Sequence, residues 1–160
     1  MNDLNIPEAL AQSTLGIELS GDECAALAAT VGMEQVAAGE TLVHEGEDRR
    51  TLFVLAQGKL NVCMHVNDQE EVVYQMRAGE CAGTRAFVDG SPRKAALRAE
   101  ADSLVLTLEP DAFEALVETQ PRLVYKVMRA IFRNTHSHLM RVNLESTEMR
   151  NYVMKTGGRY

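Results

Sequence analysis

The feature that most constrains the fold of this chain is a series of short runs in which apolar and polar residues alternate, separated by glycines. Between residues 34 and 109, apolar residues recur at every second position, and Gly39, Gly46, Gly58 and Gly79 punctuate the runs. Alternation with a period of two predicts β-strands with one buried face, and glycines between them predict tight turns. Many short strands without intervening helices are typical of a barrel or jelly roll.

The runs that we interpret as strands are Thr41–His44, Thr51–Leu55, Lys59–Val66, Glu71–Met76, Leu97–Ala99 and Leu104–Leu108. Helical patterns flank them. Ser20 and Glu23 have the spacing of a capping box, which predicts a helix start before a run of small apolar residues. The chain therefore divides into an N-terminal helical segment (1–33), a β-barrel (34–109) and C-terminal helices (110–160). We expect a mainly β fold, a double-stranded β-helix or jelly-roll barrel with N-terminal helices and a long C-terminal helix.

The last helical pattern follows Pro121 and carries a long apolar stripe. Its members recur at three- and four-residue steps and are Val124, Met128, Ile131, Thr135, His138 and Val142. Such a stripe is longer than one small barrel can cover, so part of it is expected to pack on a second copy of the chain. The alternative is a C-terminal helix that packs on its own barrel.

The stretch between residues 78 and 99 combines the features of an anion-binding loop. It contains Gly79, Gly83 and Gly90, and glycines allow backbone amides to approach a bound oxyanion closely. Arg93 follows Ser91 and a proline just before a small-residue run, where its guanidinium fork suits a phosphate. The alternative is a surface arginine in a turn without a ligand.

These residues resemble a known family. The order G-E-C-A-G-T-R-A-F, then S-P-R-K-A-A-L, is similar to the phosphate-binding cassette of cyclic nucleotide-binding domains, roughly G-D-x-F-G-E-L-A-L and then P-R-A-A-T-V. The earlier glycines resemble the family pattern P-G-E, E-G-D and G-x-V-x-V, so the resemblance runs from about Leu19 to Leu139. It implies that Arg93 binds the cyclic phosphate and that the C-terminal helix forms a dimer and covers the ligand.

The cassette departs from the family pattern in its sugar-binding half. Thr84 occupies the position of the glutamate that the family assigns to the ribose 2′-hydroxyl, Arg85 replaces an apolar residue, and Ala82 replaces an aromatic one. Losing a charge-assisted hydrogen bond costs about 1.5–3 kcal/mol, so weaker or altered binding is expected rather than none. The predicted ligand-binding residues are Gly83, Thr84, Arg85, Ala86, Ser91, Arg93, Lys94 and Ala95.

We therefore expect a regulatory, signal-transducing domain that binds cyclic AMP, cyclic GMP or another small anion and signals through its C-terminal helix. The alternative is a dimeric scaffold with the same fold and a pocket that no longer binds. The ligand is a regulator rather than a cofactor, and no catalytic residue or metal site is expected. A cupin-type enzyme is disfavoured because the strands lack a His-x-His pair with a following glutamate. Cys63 and His65 share a strand face without a third ligand nearby.

Composition limits the partners that this chain can have. The formal net charge of −7 argues against broad nucleic-acid binding, and the family's helix-turn-helix segment is not present, so we expect no direct DNA binding. No stretch reaches the ~18–20 apolar residues of a membrane span. Three cysteines without paired spacing indicate reduced thiols and a cytoplasmic location. Output would pass through a homodimer or a separate protein effector.

Overall fold

Two antiparallel sheets form the centre of the molecule in the computed structural model, which describes residues 3–136. One sheet has the strand order β1-β8-β3-β6 and the other β2-β7-β4-β5. The strands are β1 (Gly32–Val36), β2 (Thr41–Val43), β3 (Leu52–Gln57), β4 (Leu60–Val66), β5 (Gln69–Met76), β6 (Cys81–Ala82), β7 (Ala96–Ala99) and β8 (Ser103–Leu108). The predicted mainly β fold with flanking helices is confirmed.

Helices lie before and after the strand region in the described sequence, and one short helix lies between β6 and β7. They are α1 (Ile6–Ala11), α2 (Gly21–Ala28), α3 (Thr84–Asp89), α4 (Pro110–Thr119) and α5, residues 121–136. Ser20 caps α2 as predicted, because its hydroxyl accepts from the Glu23 amide and the Glu23 carboxylate accepts from the Ser20 amide. Helix α3 lies inside the cassette and was not predicted. No helix in the described range is long and apolar enough to cross a membrane.

Two apolar cores result from this arrangement. The first lies between the sheets and contains Val43, Phe53, Leu60, Leu97 and Val105 with their neighbours. The second lies beneath the helices. Its buried members are Leu10, Leu15, Leu27, Leu52, Val54, Phe87, Leu106, Leu108, Phe113, Leu116, Leu123, Val127 and Ile131. Because α5 contributes three of these residues, one face of this helix packs on its own barrel.

Charged side chains also fasten α5 to the N-terminal segment. Lys126 Nζ lies 2.6 Å from Glu23 Oε1, and Glu18 Oε2 lies 3.5 Å from both Arg129 Nε and Arg133 Nη2. The Lys126 ammonium is the main reason why the pKa of the Glu23 carboxyl is below its ordinary value. These pairs are partly exposed, so solvent screens them and each contributes little to stability. They orient α5 over the barrel, while its buried apolar face holds it there.

Gly58, in the tight turn between β3 and β4, gives a direct test of the backbone geometry. Its φ is +100°, and an added Cβ would lie 2.6 Å from the Asp102 carbonyl oxygen and closer still to the Ser103 hydroxyl. We expect Gly58→Ala to lower the free energy of unfolding by roughly 2 kcal/mol or more, through both strain and collision. Urea denaturation followed by circular dichroism measures this.

The matched control is Gly21→Ala. Gly21 opens α2, and an added Cβ would have no heavy atom within 4 Å. We expect no loss of stability there, because alanine has the higher helix propensity. Equal losses in both variants would contradict the role assigned to the Gly58 turn.

Candidate ligand-binding site

The cassette encloses a site because two glycines bend the chain on either side of α3. Gly83 has a φ of +87° at the start of the helix, and Gly90 has a φ of +75° at its end. Gly83 also lies against the Arg93 side chain: a Cβ there would be 2.9 Å from Arg93 Cζ and would overlap Nη1. Only glycine combines this conformation with so close a contact. The loop and the arginine are therefore fitted to each other.

Arg93 is buried, with 5% of its surface exposed. Its Nε donates to the Arg49 carbonyl oxygen at 2.7 Å, its Nη2 donates to the Thr51 carbonyl oxygen, and its Cζ lies 4.9 Å from the centre of the Phe53 ring. Burial and the neighbouring Arg49 lower the pKa of Arg93, while Glu47 and Glu109 act in the opposite direction. An arginine stays protonated in such a setting. The alternative of a surface arginine is therefore wrong about the position of this side chain, which is buried.

One nitrogen of the Arg93 guanidinium makes no hydrogen bond within the described part of the chain. Nε and Nη2 are occupied by carbonyl oxygens, whereas Nη1 has no hydrogen-bond partner among the described residues and lies beside Gly83. Both Arg93 and Gly83 line a cavity of about 220 Å³. The lining residues are Val43, Val62, Ala82, Gly83, Thr84, Arg85, Ala86, Pro92, Arg93, Lys94, Ala95 and Leu97. The cavity is thus apolar on most sides, with cationic groups around the cassette.

A second cavity of about 310 Å³ adjoins the first and shares Val62, Ala82, Gly83 and Thr84 with it. Its remaining lining residues are Thr14, Tyr74, Met76, Glu80, Cys81, Asn134 and Thr135. Two of these belong to the last described turn of α5, which therefore covers this cavity. The Thr84 and Thr135 hydroxyl oxygens are 3.5 Å apart, and Asn134 Nδ2 donates to Cys81 Sγ at 3.7 Å.

The structure brings seven of the eight predicted ligand-binding residues to the first cavity: Gly83, Thr84, Arg85, Ala86, Arg93, Lys94 and Ala95. Ser91 does not line it, because its amide and hydroxyl both donate to Asp89 Oδ1 and stabilise the turn after α3. Sequence reasoning missed the cavity walls outside the cassette, chiefly Val43 and Val62. Val62 is one of the apolar residues that alternate along the predicted strand Lys59–Val66, and this alternation was the available signal.

The described residues of the apolar stripe that was predicted to form a dimer are partly buried in the chain's own core and partly exposed. Ile131 is buried in the chain's own core and Val124 packs partly against it, whereas Met128 is 37% exposed and Thr135 is exposed. Ile131 is therefore not available to a partner, because its side chain completes the core beneath α5. His138 and Val142 lie outside the described residues. The large exposed apolar side chains that the stripe omitted are Tyr125 and Phe132, at 65% and 72% exposure.

Cys63 and His65 do not form a metal site in the described part of the chain, where no cluster of three or more His, Cys, Asp or Glu side chains occurs. His65 Nδ1 contacts Glu45 Oε2 at 3.1 Å, and Cys63 is buried. All three cysteines, Cys24, Cys63 and Cys81, are free thiols. Burial raises the pKa of the Cys81 thiol, which keeps it protonated beside the second cavity.

Residues 33–120 match the family model of the cyclic nucleotide-binding domain. The chain belongs to the cyclic nucleotide-binding domain family. An uncharacterised NTE family protein of Mycobacterium tuberculosis is 26% identical over 116 residues, which cover 72% of this domain's chain. The match covers only 19% of that relative, so the chain spans about a fifth of the length of the curated relatives of this kind.

Solved structures show the same fold. A cyclic nucleotide-binding domain from Methylobacillus flagellatus superposes with a TM-score of 0.76 at 23% identity, covering 85% of this chain and 77% of that one. The regulatory domain of Toxoplasma gondii protein kinase A, crystallised with cyclic AMP, gives 0.62 at 24% identity, covering 69% and 42%.

The position of Arg93 predicts a structural cost when it is removed. We expect Arg93→Ala to lower the free energy of unfolding by about 2–4 kcal/mol, because the Arg49 and Thr51 carbonyl oxygens lose a charged donor in a buried place. Chemical denaturation of the purified protein measures this.

Arg98→Ala is the matched control. Arg98 is half exposed and pairs with Glu70 on the sheet surface, so its removal should cost about 1 kcal/mol or less. If Arg93→Ala were no more destabilising than Arg98→Ala, the hydrogen bonds of Arg93 to the two carbonyl oxygens would make no special contribution to the stability of the fold.

Proposed function

We propose that this cyclic nucleotide-binding domain is a regulatory module that binds a small anionic ligand at the cassette and transmits binding through α5. The observation that carries the proposal is the geometry of Arg93, which lines the cavity with its guanidinium anchored by two carbonyl oxygens and with Nη1 left without a hydrogen-bond partner among the described residues. A cation held in a largely apolar cavity attracts an anion more strongly than one in water, since the local dielectric is low. The site costs little reorganisation because its arginine is already in place.

The route of the signal is the contact between the cassette and the end of α5. Thr84 and Ala82 line both cavities, and Asn134 and Thr135 form the α5 side of the second one. A ligand in these cavities would touch the cassette and the helix together. It would shift the helix only as far as its affinity differs between the two helix positions. Regulation of a partner or of a second copy then follows from the position of α5.

Exposed apolar residues suggest how α5 passes the signal on. Met128 and Phe132 of α5 and Val88 of α3 line a groove of about 540 Å³, and Phe132 is the most exposed large apolar residue within residues 3–136. Contiguous apolar patches of this kind mark interaction sites. We propose that this surface forms a homodimer or contacts a separate effector. It also supports the second candidate function, a dimeric scaffold whose pocket does not bind.

Binding of cyclic nucleotides to the purified domain tests the first function. We expect cyclic AMP or cyclic GMP to bind with a dissociation constant on the order of micromolar or weaker, because Thr84 offers no carboxylate to the sugar. Ala95→Leu, which fills the cavity wall without touching the bonds of Arg93, should abolish the binding heat in isothermal titration calorimetry.

Val117→Leu serves as the control, since Val117 is an exposed residue of α4 that lines neither cavity. Binding that survives Ala95→Leu unchanged would move the ligand away from this cavity. The absence of heat with either nucleotide and with inorganic phosphate would favour the scaffold.

The oligomeric state tests the output surface. We expect Phe132→Glu to convert a dimer into monomers, because a carboxylate at the centre of an apolar interface would be buried without a partner. Analytical ultracentrifugation measures the mass, and Val117→Glu, a charge introduced at an exposed apolar residue of α4, is the control. An unchanged dimer in Phe132→Glu would place the interface elsewhere.

A further inference from the structure

The first cavity has an unusual charge balance. Three cationic residues line it, Arg85, Arg93 and Lys94, and none of its lining residues in the described part of the chain is acidic. The chain as a whole has 23 acidic and 16 basic residues, so the local balance is opposite to the overall one. Cationic groups around a cavity with apolar walls concentrate positive potential inside it.

These cations keep capacity for a ligand. Lys94 is exposed and has no ion pair with another described residue. Arg93 presents Nη1, while Nε and Nη2 are bound to carbonyl oxygens. Arg85 pairs only loosely with Asp89, with 3.8 Å between Arg85 Nε and Asp89 Oδ2, and both side chains are more than half exposed. Glu47 and Glu109 lie near enough to act on Arg93 but do not line the cavity.

A singly charged ligand would leave much of this potential unused. A cyclic phosphodiester carries one negative charge, whereas a phosphate monoester carries about −1.5 to −2 at neutral pH and offers three acceptor oxygens. We propose that the preferred ligand is a phosphate monoester, with its terminal phosphate between Arg93 and Lys94. This inference rests on the proposed anion-binding function and names the class of anion.

Thr84 fits the same conclusion. Its hydroxyl is 3.5 Å from the Thr135 hydroxyl, and it lines the cavity where the family pattern has a glutamate. A carboxylate at this position would repel a doubly charged phosphate across the cavity. A threonine removes that repulsion and keeps a hydroxyl that donates or accepts a hydrogen bond. The exchange therefore lowers the expected affinity for a ribose hydroxyl and raises it for a second phosphate charge.

A series of adenosine compounds tests the proposal because the base is constant. The probes are adenosine, cyclic AMP, 5′-AMP and the 5′-methylphosphate ester of adenosine, which is open like 5′-AMP but singly charged like cyclic AMP. We expect 5′-AMP to bind about five- to tenfold more tightly than either singly charged compound at low salt, and adenosine to bind most weakly. The preference should shrink as salt is raised.

Two variants connect the preference to the named residues. Lys94→Ala should reduce the advantage of 5′-AMP to about twofold or less, and Lys59→Ala, which removes an exposed lysine in the turn before β4, should leave it unchanged. Thr84→Glu should reverse the order by weakening 5′-AMP and strengthening cyclic AMP. Circular dichroism of each variant confirms that the fold is retained.

The outcomes separate this proposal from the one on which it rests. Tighter binding of cyclic AMP than of 5′-AMP, lost in Ala95→Leu, would overturn the monoester preference and keep the anion site. Equal affinity for 5′-AMP and its methyl ester would also overturn it, because the second charge would then contribute nothing. No binding of any charged probe, inorganic phosphate included, would overturn both proposals.

Discussion

The buried guanidinium of Arg93 is the interaction on which the site depends. A charge taken out of water needs compensating partners, and here these are the Arg49 and Thr51 carbonyl oxygens and the face of the Phe53 ring. All three belong to the segment that leads into and forms β3, whereas Arg93 precedes β7 in the other sheet. This side chain therefore joins the cassette to the sheet that contains β3.

Gly83 and Arg93 act as one physical unit for the same reason. The guanidinium occupies the space that a side chain at residue 83 would need, and the positive φ of Gly83 turns the chain into α3 at that point. The spacing of ten residues between Gly83 and Arg93 therefore reflects a packing contact as well as the proposed role of the arginine in binding. Because the same bonds hold the guanidinium in place, the stability of the fold and the proposed binding of an anion depend on one residue.

Alternating residues and the cassette resemblance were sufficient to predict the barrel, the flanking helices and most of one cavity wall. Three features were beyond them. Helix α3 has only six residues, too short for a periodic pattern. The partners of Arg93 are backbone carbonyl oxygens more than 40 residues away, and backbone atoms leave no trace in side-chain patterns. Ile131 belongs to an apolar stripe of α5, and its side chain packs in the chain's own core. Periodicity shows that a helix face is apolar, but it does not show whether that face packs on the same chain or on a partner.

The two halves of the described part of α5 are held by different forces, and this difference determines where the proposed ligand would act. Leu123 and Val127 are fully buried. Displacing that half of the helix would expose both side chains to water, at a free-energy cost of about 1.5–3 kcal/mol for each. Beyond Ile131 the helix contacts the cassette through the Thr84–Thr135 and Cys81–Asn134 pairs, both long and weak. Arg133, also beyond Ile131, adds only a partly exposed ion pair with Glu18. The proposed ligand would therefore need less free energy to rearrange this part of the helix than to displace the buried half. The response is therefore expected at residues 132–136, directly beside the exposed ring of Phe132.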